Sequence, residues 1–378
     1  MFKIRASFII ATIMLKATIS FGQDTIPPLV IDQSAFTLFP DTLAQKRLLN
    51  SLNGFLEVKN NGSASNKYID PAYLKKNIEP FQHIQDIEMN GGKSFFNPTL
   101  LCVIPLEDKS LLLKLAFMGV GEVDKTPFLR VIASLIAKKN DDGYYFYNAL
   151  DHYTRSWNRL TSGSINYIYP NRIDLNKARA MNKFNSAFAK KLNTPVPKIT
   201  YYKFEDPEQM FKTMGYDFIE NMYASRVGGL AQYWNNTVFA GNDSELYEHE
   251  VVHFYTYIVF PKGKKNVHEG YATYIGGSGG KSLDQLLPLD KSYIDQHPEQ
   301  EITELATDFY PHTPDVQLTY VLSAVVCRDI ETRYGMSGIK KLFNPAEDDD
   351  YFANLKKITG VDKNDFPQYI RKLLTQKP

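Results

Sequence analysis

Apolar residues along the chain follow two spacings, and each spacing predicts a different kind of element. Helical spacing in residues 43–58 forms one apolar face from Leu48, Leu49, Leu52, Phe55 and Leu56. Short apolar runs follow (TLLCVI, LLLKLAFMG, FLRVIASLIA and YYFYNAL), separated by the turn sequences EDKS and NDDG, which is typical of antiparallel strands. Residues 24–155 therefore predict a small α+β domain, with helices first and meandering strands after.

A second series of elements begins near Gly163. INYIYPNR and PVPKITYYKF predict strands, and NKARAMNKFNSAFAKKL predicts a helix between them. Residues 228–241, GGLAQYWNNTVFAG, predict one more strand, and helices follow to the end, including residues 319–335. Strands first and helices last indicate a sheet packed on a helical half. We therefore expect residues 156–378 to form a second α+β domain.

The N-terminus has the pattern of an export signal. A basic start, an apolar run and small residues predict a signal peptide over residues 1–22, with cleavage between Gly22 and Gln23. Lys16 interrupts the apolar run, so we expect no transmembrane span there or in the mature chain. The predicted location is periplasmic, cell-surface or secreted.

Composition narrows the choice of partner and of metal site. A formal net charge of +1 gives no electrostatic argument for a nucleic-acid partner. The chain has two cysteines, Cys102 and Cys327, both inside apolar runs, so two free thiols are expected rather than a bridge. Two cysteines also exclude a zinc-ribbon cluster.

Candidate chemistry concentrates in residues 244–274, SELYEHEVVHFYTYIVFPKGKKNVHEGYATY, which hold three of the seven histidines. Asp243 or Ser244 is expected to cap a helix that runs to about Phe260, where Pro261 stops it. The basic loop PKGKKN then separates this helix from a second one.

His249 and His253 are four residues apart, so they lie on one face of the first helix. Two imidazoles in this arrangement can bind one tetrahedral zinc ion. Glu250 follows the first histidine and faces the same cavity, where it can act as general base; the pattern is H-E-x-x-H. The alternatives are a helix with solvated polar residues and a structural metal, although structural zinc favours four protein ligands and cysteine.

A catalytic zinc needs a third protein ligand. Glu269 is the first choice, placed by the second helix in its first turn. His268 is the competitor, because it is adjacent and can also bind zinc. Neighbouring helical residues point about 100° apart, so only one of the two is expected to reach the metal.

HEVVH followed by HEGYATY resembles the gluzincin metallopeptidases, and the short gap between the two is similar to the thermolysin-like peptidase MA group. The resemblance covers roughly residues 163–378 and departs from the usual pattern at residues 266–268, NVH. It implies one zinc ion on His249, His253 and Glu269, with Glu250 as catalytic base. It also implies a thermolysin-like catalytic domain that hydrolyses peptides or proteins. The element order of residues 24–155 resembles the cone-shaped fold of nuclear-transport-factor-like domains.

Peptide hydrolysis usually needs one more donor for the developing oxyanion. Tyr320, Tyr271 and His312 are the candidates. If residues 228–241 form an open edge strand, they can bind an extended peptide by strand addition. Two other functions stay open: a catalytically degenerate binding or scaffold protein, and a metal hydrolase that acts on a non-peptide amide or ester.

Overall fold

The computed structural model describes residues 27–59, 66–74, 86–220, 222–223, 225–309 and 318–375. The predicted signal peptide and His312 lie outside these residues. The strands are β1 (Val30–Ile31), β2 (Met89–Asn90), β3 (Lys93–Ser94), β4 (Asn97–Pro105), β5 (Leu111–Val120), β6 (Pro127–Lys139), β7 (Tyr144–Asn148), β8 (Asn158–Ser162), β9 (Ile165–Tyr169), β10 (Ile199–Phe204), β11 (Tyr216–Ile219), β12 (Gly228–Gln232) and β13 (Thr237–Gly241). The helices are α1 (Thr42–Val58), α2 (Pro71–Leu74), α3 (Leu150–Tyr153), α4 (Leu175–Leu192), α5 (Pro207–Met214), α6 (Glu248–Val259), α7 (Lys265–Gly276), α8 (Leu283–Gln296), α9 (Ile302–Leu305), α10 (Leu318–Phe343), α11 (Tyr351–Thr359) and α12 (Phe366–Thr375). The chain is thus a mixed α+β protein.

The first sheet has the order β1-β4-β5-β6-β11, and β7 also pairs with β6. Strands β4 to β7 are antiparallel neighbours, which confirms the predicted meander. Leu48, Leu52 and Phe55 of α1 are fully buried against this sheet. The last strand, β11, comes from much later in the chain and pairs antiparallel with the first half of β6. The two sequence regions therefore share a sheet.

The second sheet has the order β12-β13-β10-β9-β8, with β13, β10 and β9 parallel and the two outer strands antiparallel. Both faces are buried. In β10, Ile199 and Tyr201 pack against the helical half, whereas Tyr202 and Phe204 pack into the core of the first sheet. A strand that is buried on both faces has a nearly continuous apolar sequence, as ITYYKF does.

Residues 228–241 form a hairpin rather than the single strand that their sequence predicts. Asn236 has a φ of 56°, a left-handed conformation that Asn tolerates better than most residues, and it lies in the turn between β12 and β13. As a result only β12 lies at the edge of the sheet, and β13 is paired on both sides.

The helical half packs around α10, which contains two helices separated by a kink at Gly335. Gly335 has a φ of 61°, a conformation that glycine adopts without strain. The predicted helix 319–335 therefore ends at the expected residue. Cys102 and Cys327 are both free thiols, as expected. No helix in the described part of the chain has the length and apolar character that a membrane crossing requires.

Asp290 is a fully buried acid in α8. Among the described residues neither of its carboxylate oxygens has a hydrogen-bond partner. Burial raises the pKa of Asp290 from 3.8 to about 7. The folded chain therefore retains a proton that the unfolded chain releases between pH 4 and pH 7. The contribution of Asp290 to the stability of the fold is therefore lost as pH rises through this window.

We expect Asp290→Asn to remove this pH dependence. The difference in free energy of unfolding between the variant and the wild type should shift in favour of the variant by on the order of 4 kcal/mol as pH rises from about 4 to about 7. Urea unfolding at several pH values measures the difference. Asp348→Asn, at an exposed position, controls for the loss of one carboxylate. A difference that stays constant with pH contradicts the prediction.

Candidate metal centre

The loop that leads into α6 is anchored to the second sheet rather than capped by its own side chains. Helix α6 begins at Glu248 after Tyr247, which makes no side-chain cap, so the predicted capping by Asp243 or Ser244 is wrong. Instead, the buried Lys203 of β10 forms an ion pair with Glu245 at 2.9 Å. The hydroxyls of Tyr167 and Tyr201 also donate to backbone carbonyls of this loop, at 3.0 and 2.8 Å.

Helix α7 lies between α6 and α10, and glycines form the contacts on both sides. A Cβ on Gly276 would overlap the backbone nitrogen of His249, and a Cβ on Gly270 would overlap Ser323 of α10. The helices can therefore approach more closely than larger residues would allow. Because α7 begins at Lys265, Glu269 lies in its second turn rather than in the first.

This packing brings His249, His253 and Glu269 together. The Glu269 Oε2 atom lies 3.3 Å from His249 Nε2 and 3.4 Å from His253 Nε2. All three ligand atoms lie within 4.8 Å of one another, and the side chains are almost fully buried. Ligand atoms at 2.0–2.1 Å from one tetrahedral ion are separated by roughly 3.3 Å. The group could therefore hold a metal ion.

His249 is held by the loop that follows α7. Its Nδ1–H donates to the carbonyl oxygen of Gly277 at 2.7 Å, so Nε2, which faces Glu269, is the ring atom that could bind a metal ion. Gly277 has φ 74° and ψ −172°, and a Cβ there would overlap the carbonyl of Lys281. Only glycine fits this position. Among the described residues His253 Nδ1 has no comparable partner.

His268 does not join the three ligands. Its Nδ1 shares a hydrogen bond of 3.0 Å with the Thr256 hydroxyl. Its ring stacks on Tyr257 at 4.0 Å and meets the edge of Phe343 at 5.0 Å. Burial, and next to it the charge of His253, lowers the pKa of His268 to about 4. The residue therefore binds the start of α7 to the end of α6, as a neutral ring.

Glu250 lies beside the three ligands, almost fully buried. Burial raises its pKa, although the charges of His249 and His253 oppose the shift. Burial also acts to raise the pKa of Glu269, but the adjacent His253 and His249 outweigh it and hold that pKa well below the usual range. The two glutamates of the site therefore differ in basicity.

Edge strand β12 passes directly over Glu250. A Cβ on Gly229 would lie 2.5 Å from Tyr247 Cε1 and 2.9 Å from Glu250 Cγ. Any side chain at position 229 would therefore displace one of these two residues. Glycine lets the strand backbone reach the site.

The three oxyanion candidates have different positions. The Tyr320 ring stacks at 6.2 Å on His249. Burial raises the pKa of Tyr320, followed by the charges of Glu269 and Glu250 and a hydrogen bond with Glu269. Tyr271 instead points away from the site and donates to Glu331 at 3.1 Å. His312 lies outside the described residues. Tyr320 is thus the candidate that the fold places at the ligands.

The three possible ligands, Glu250 and Tyr320 line one cleft of about 950 Å³. Its walls are β12, α6, α7, the start of α10 and the loop after α7. Tyr257 lines it beside His253, with the ring centroids 5.5 Å apart.

The sequence pattern does not point to Tyr257, Gly229 or Gly277, because each acts through a tertiary contact. The run GGSGG is the one local signal of the tight loop that holds His249.

No model of a known protein family matches the chain, and no curated protein matches its sequence.

We expect Gly277→Ala to weaken metal binding about 10- to 100-fold, because it displaces the carbonyl that orients His249. Chelator competition with Zn²⁺ measures the affinity. Gly279→Ala is the matched control, since Gly279 also has a positive φ, of 57°, in the same loop but its Cβ would enter open space. Equal affinities for the two variants would contradict the role of Gly277.

Proposed function

We propose that the chain is an exported zinc metallopeptidase of the thermolysin-like gluzincin type. The observation that supports the proposal is the convergence of His249, His253 and Glu269 in the floor of a cleft, with Glu250 beside them. The pattern of residues 1–22 supports export, with cleavage near Gly22 and Gln23. The proposal includes a separate domain in residues 24–155, with the cone-shaped fold of nuclear-transport-factor-like domains.

Zinc is the metal that this donor set favours. Two imidazoles and one carboxylate are the ligand set of thermolysin-like catalytic zinc, and three protein ligands leave one position open. The ligand separations of 3.3 and 3.4 Å suit zinc bond lengths. When bound, zinc supplies Lewis acidity toward a carbonyl oxygen and a water molecule.

The chain's own residues supply the proton transfer. The Glu250 carboxylate accepts the proton of the attacking water and returns it to the leaving nitrogen as the peptide bond breaks. Its position one residue after His249 places it beside the metal ligands without joining them. The Tyr320 hydroxyl donates a hydrogen bond to the carbonyl oxygen as negative charge develops there.

Strand β12 is suited to hold the substrate backbone. It pairs with β13 on one side, and its other side is the edge of the sheet and lines the cleft. An extended peptide can add to this edge by main-chain hydrogen bonds. Because Gly229 packs on Glu250, a peptide on the edge would lie next to the base.

We expect Glu250→Gln to retain stoichiometric zinc but to lose peptide cleavage by about a hundred- to ten-thousand-fold. Metal analysis of the purified protein and cleavage of a fluorogenic peptide library measure the two effects. Absence of bound metal in the wild type would overturn the proposal. Zinc without cleavage of any peptide would instead favour the binding protein, or hydrolysis of a non-peptide amide or ester.

We expect Gly229→Ala to lower kcat/KM on the order of a hundred-fold without loss of metal, because the new methyl group displaces Glu250 or Tyr247. Gly228→Ala is the matched control on the same strand, since its Cβ would lie 3.4 Å from Pro207 in ordinary contact. Similar rates for the two variants would show that β12 does not position the base.

A further inference from the structure

The two histidines of the candidate metal centre are held in different ways. His249 donates its Nδ1–H to the Gly277 carbonyl at 2.7 Å, whereas His253 Nδ1 is buried and has no hydrogen-bond partner among the described residues. Histidines that bind metal ions almost always donate this second N–H to an oxygen atom, and the hydrogen bond fixes the orientation of the ring. The contacts that orient His253 in this structure are therefore those of its ring.

Two rings of the same helix contact His253. The His249 ring lies 4.9 Å away at 80° to it, and the Tyr257 ring lies 5.5 Å away at 39°. The three residues are spaced four apart, so they follow one another along one face of α6. His253 thus lies between a ring from the turn before it and a ring from the turn after it. The hydrogen bond with Gly277 fixes the first of these rings, and the second is Tyr257.

Tyr257 is held by rings from two other elements. The His268 ring of α7 is parallel to it within 10° at 4.0 Å, and the Tyr233 ring is parallel to it within 15° at 5.1 Å. Tyr233 follows β12, in the turn of the hairpin. Stacked aromatic rings stabilise one another beyond the area that they bury. Helices α6 and α7 and the hairpin therefore contribute one ring each to a single stack.

His268 is fixed on several sides, so it gives this stack a rigid support. Its Nδ1 shares the 3.0 Å hydrogen bond with Thr256, and its ring meets the edge of Phe343 at 5.0 Å. The loop before α7 also lies against the ring, because a Cβ on Gly263 would be 2.5 Å from His268 Nε2. A histidine that is adjacent to Glu269 but does not join the ligands can thus act on the site through Tyr257.

We propose that Tyr257 is the positioning residue of His253, and that His268 and Tyr233 hold Tyr257 in place. Ring packing then does for His253 what the hydrogen bond to Gly277 does for His249, and it keeps Nε2 facing Glu269. The inference rests on the proposed function in that it treats His253 as a zinc ligand, but it does not depend on peptide cleavage. The Tyr257 hydroxyl has no part in this role.

The zinc affinity of the full chain, measured by chelator competition, tests the role of the ring. We expect Tyr257→Leu to bind Zn²⁺ about ten-fold more weakly than the wild type, and Tyr257→Phe to stay within about two-fold of it. Tyr274→Leu is the matched control, because it removes a half-buried tyrosine of α7 whose ring contacts Tyr271 at 6.1 Å. Equal affinities for Tyr257→Leu and Tyr257→Phe would overturn the inference.

Tyr233 provides a second test that leaves Tyr257 unchanged. Its ring stacks on Tyr257, so its removal can reach His253 through the stack. Tyr233→Leu should weaken zinc binding in the same direction as Tyr257→Leu, and Tyr233→Phe should retain the affinity of the wild type. Tyr233 lies in a turn and is only partly buried, so both variants should fold. Unchanged affinity in Tyr233→Leu would contradict its part in the stack.

Unfolding in urea separates positioning from a general loss of stability. Metal-free Tyr257→Leu and Tyr274→Leu should both unfold at lower urea than the wild type, because each loses buried aromatic area. Only Tyr257→Leu should also lose zinc affinity. Equal loss of zinc affinity in the two variants would show that Tyr257 acts through stability alone, and would overturn the inference.

An NMR spectrum of the metal-free chain separates failure of this inference from failure of the proposed function. With isotope-labelled histidine, the His253 ring signal is the one that His253→Gln removes. We expect this signal to be single and sharp in the wild type and in Tyr257→Phe. It should broaden or split in Tyr257→Leu, because the ring then samples more than one orientation.

This spectrum decides the inference whether or not the wild type binds zinc. If no zinc binds, the proposed metal site fails, but a His253 signal that changes selectively in Tyr257→Leu still supports positioning by Tyr257. A single sharp His253 signal in Tyr257→Leu overturns the inference, whatever the zinc affinities are.

Discussion

The candidate site depends on how closely α7 can pack between two other helices. The three possible metal ligands come from two helices, so their atoms meet only if the helix axes are close. Gly276 permits this on the side of α6, and Gly270 permits it on the side of α10. Interaxial distance depends on the side chains at the contact, and glycine gives the shortest. The separations of 3.3 and 3.4 Å between ligand atoms are a consequence of this packing.

Burial of several ionisable groups in one place is costly unless each has a partner. Glu269 lies against two imidazoles, and Lys203 lies between Glu245 and Asp243 at 2.9 Å from each. The Lys203 network fixes the chain directly before α6, so it helps to determine the position of His249 in the first turn of the helix. Glu250 is different, because it forms no ion pair with any described residue and burial raises its pKa against the opposing charges of His249 and His253. A buried carboxylate of this kind is suited to exchange protons rather than to hold the fold together.

The sequence predicts the parts of this arrangement that depend on local spacing. Histidines four residues apart share a helix face whatever surrounds them, and the apolar runs of β4 to β7 specify a meander. It favours Glu269 over His268 as the third ligand, but local spacing does not explain why Glu269 is the one that turns toward the histidines. That choice depends on the stacking of His268 on Tyr257 and Phe343, which are brought together by tertiary packing. Three other features also depend on contacts between distant segments. They are the ion pairs of Lys203, the hydrogen bond from His249 to the Gly277 carbonyl, and the course of β12 over Glu250. The sequence pattern also does not predict the turn that divides residues 228–241 into two strands, because Asn236 rather than glycine has the left-handed conformation there.

The pairing of β11 with β6 has a consequence for the order of folding. Val131 pairs with Ile219, so this part of β6 has no neighbour on that side until the chain has been synthesised as far as β11. Contacts between segments so far apart in the chain form slowly, because a long loop must close first. Until then β6 exposes unpaired backbone groups that can pair with another chain. During synthesis the chain is therefore open to aggregation through β6 until β11 docks.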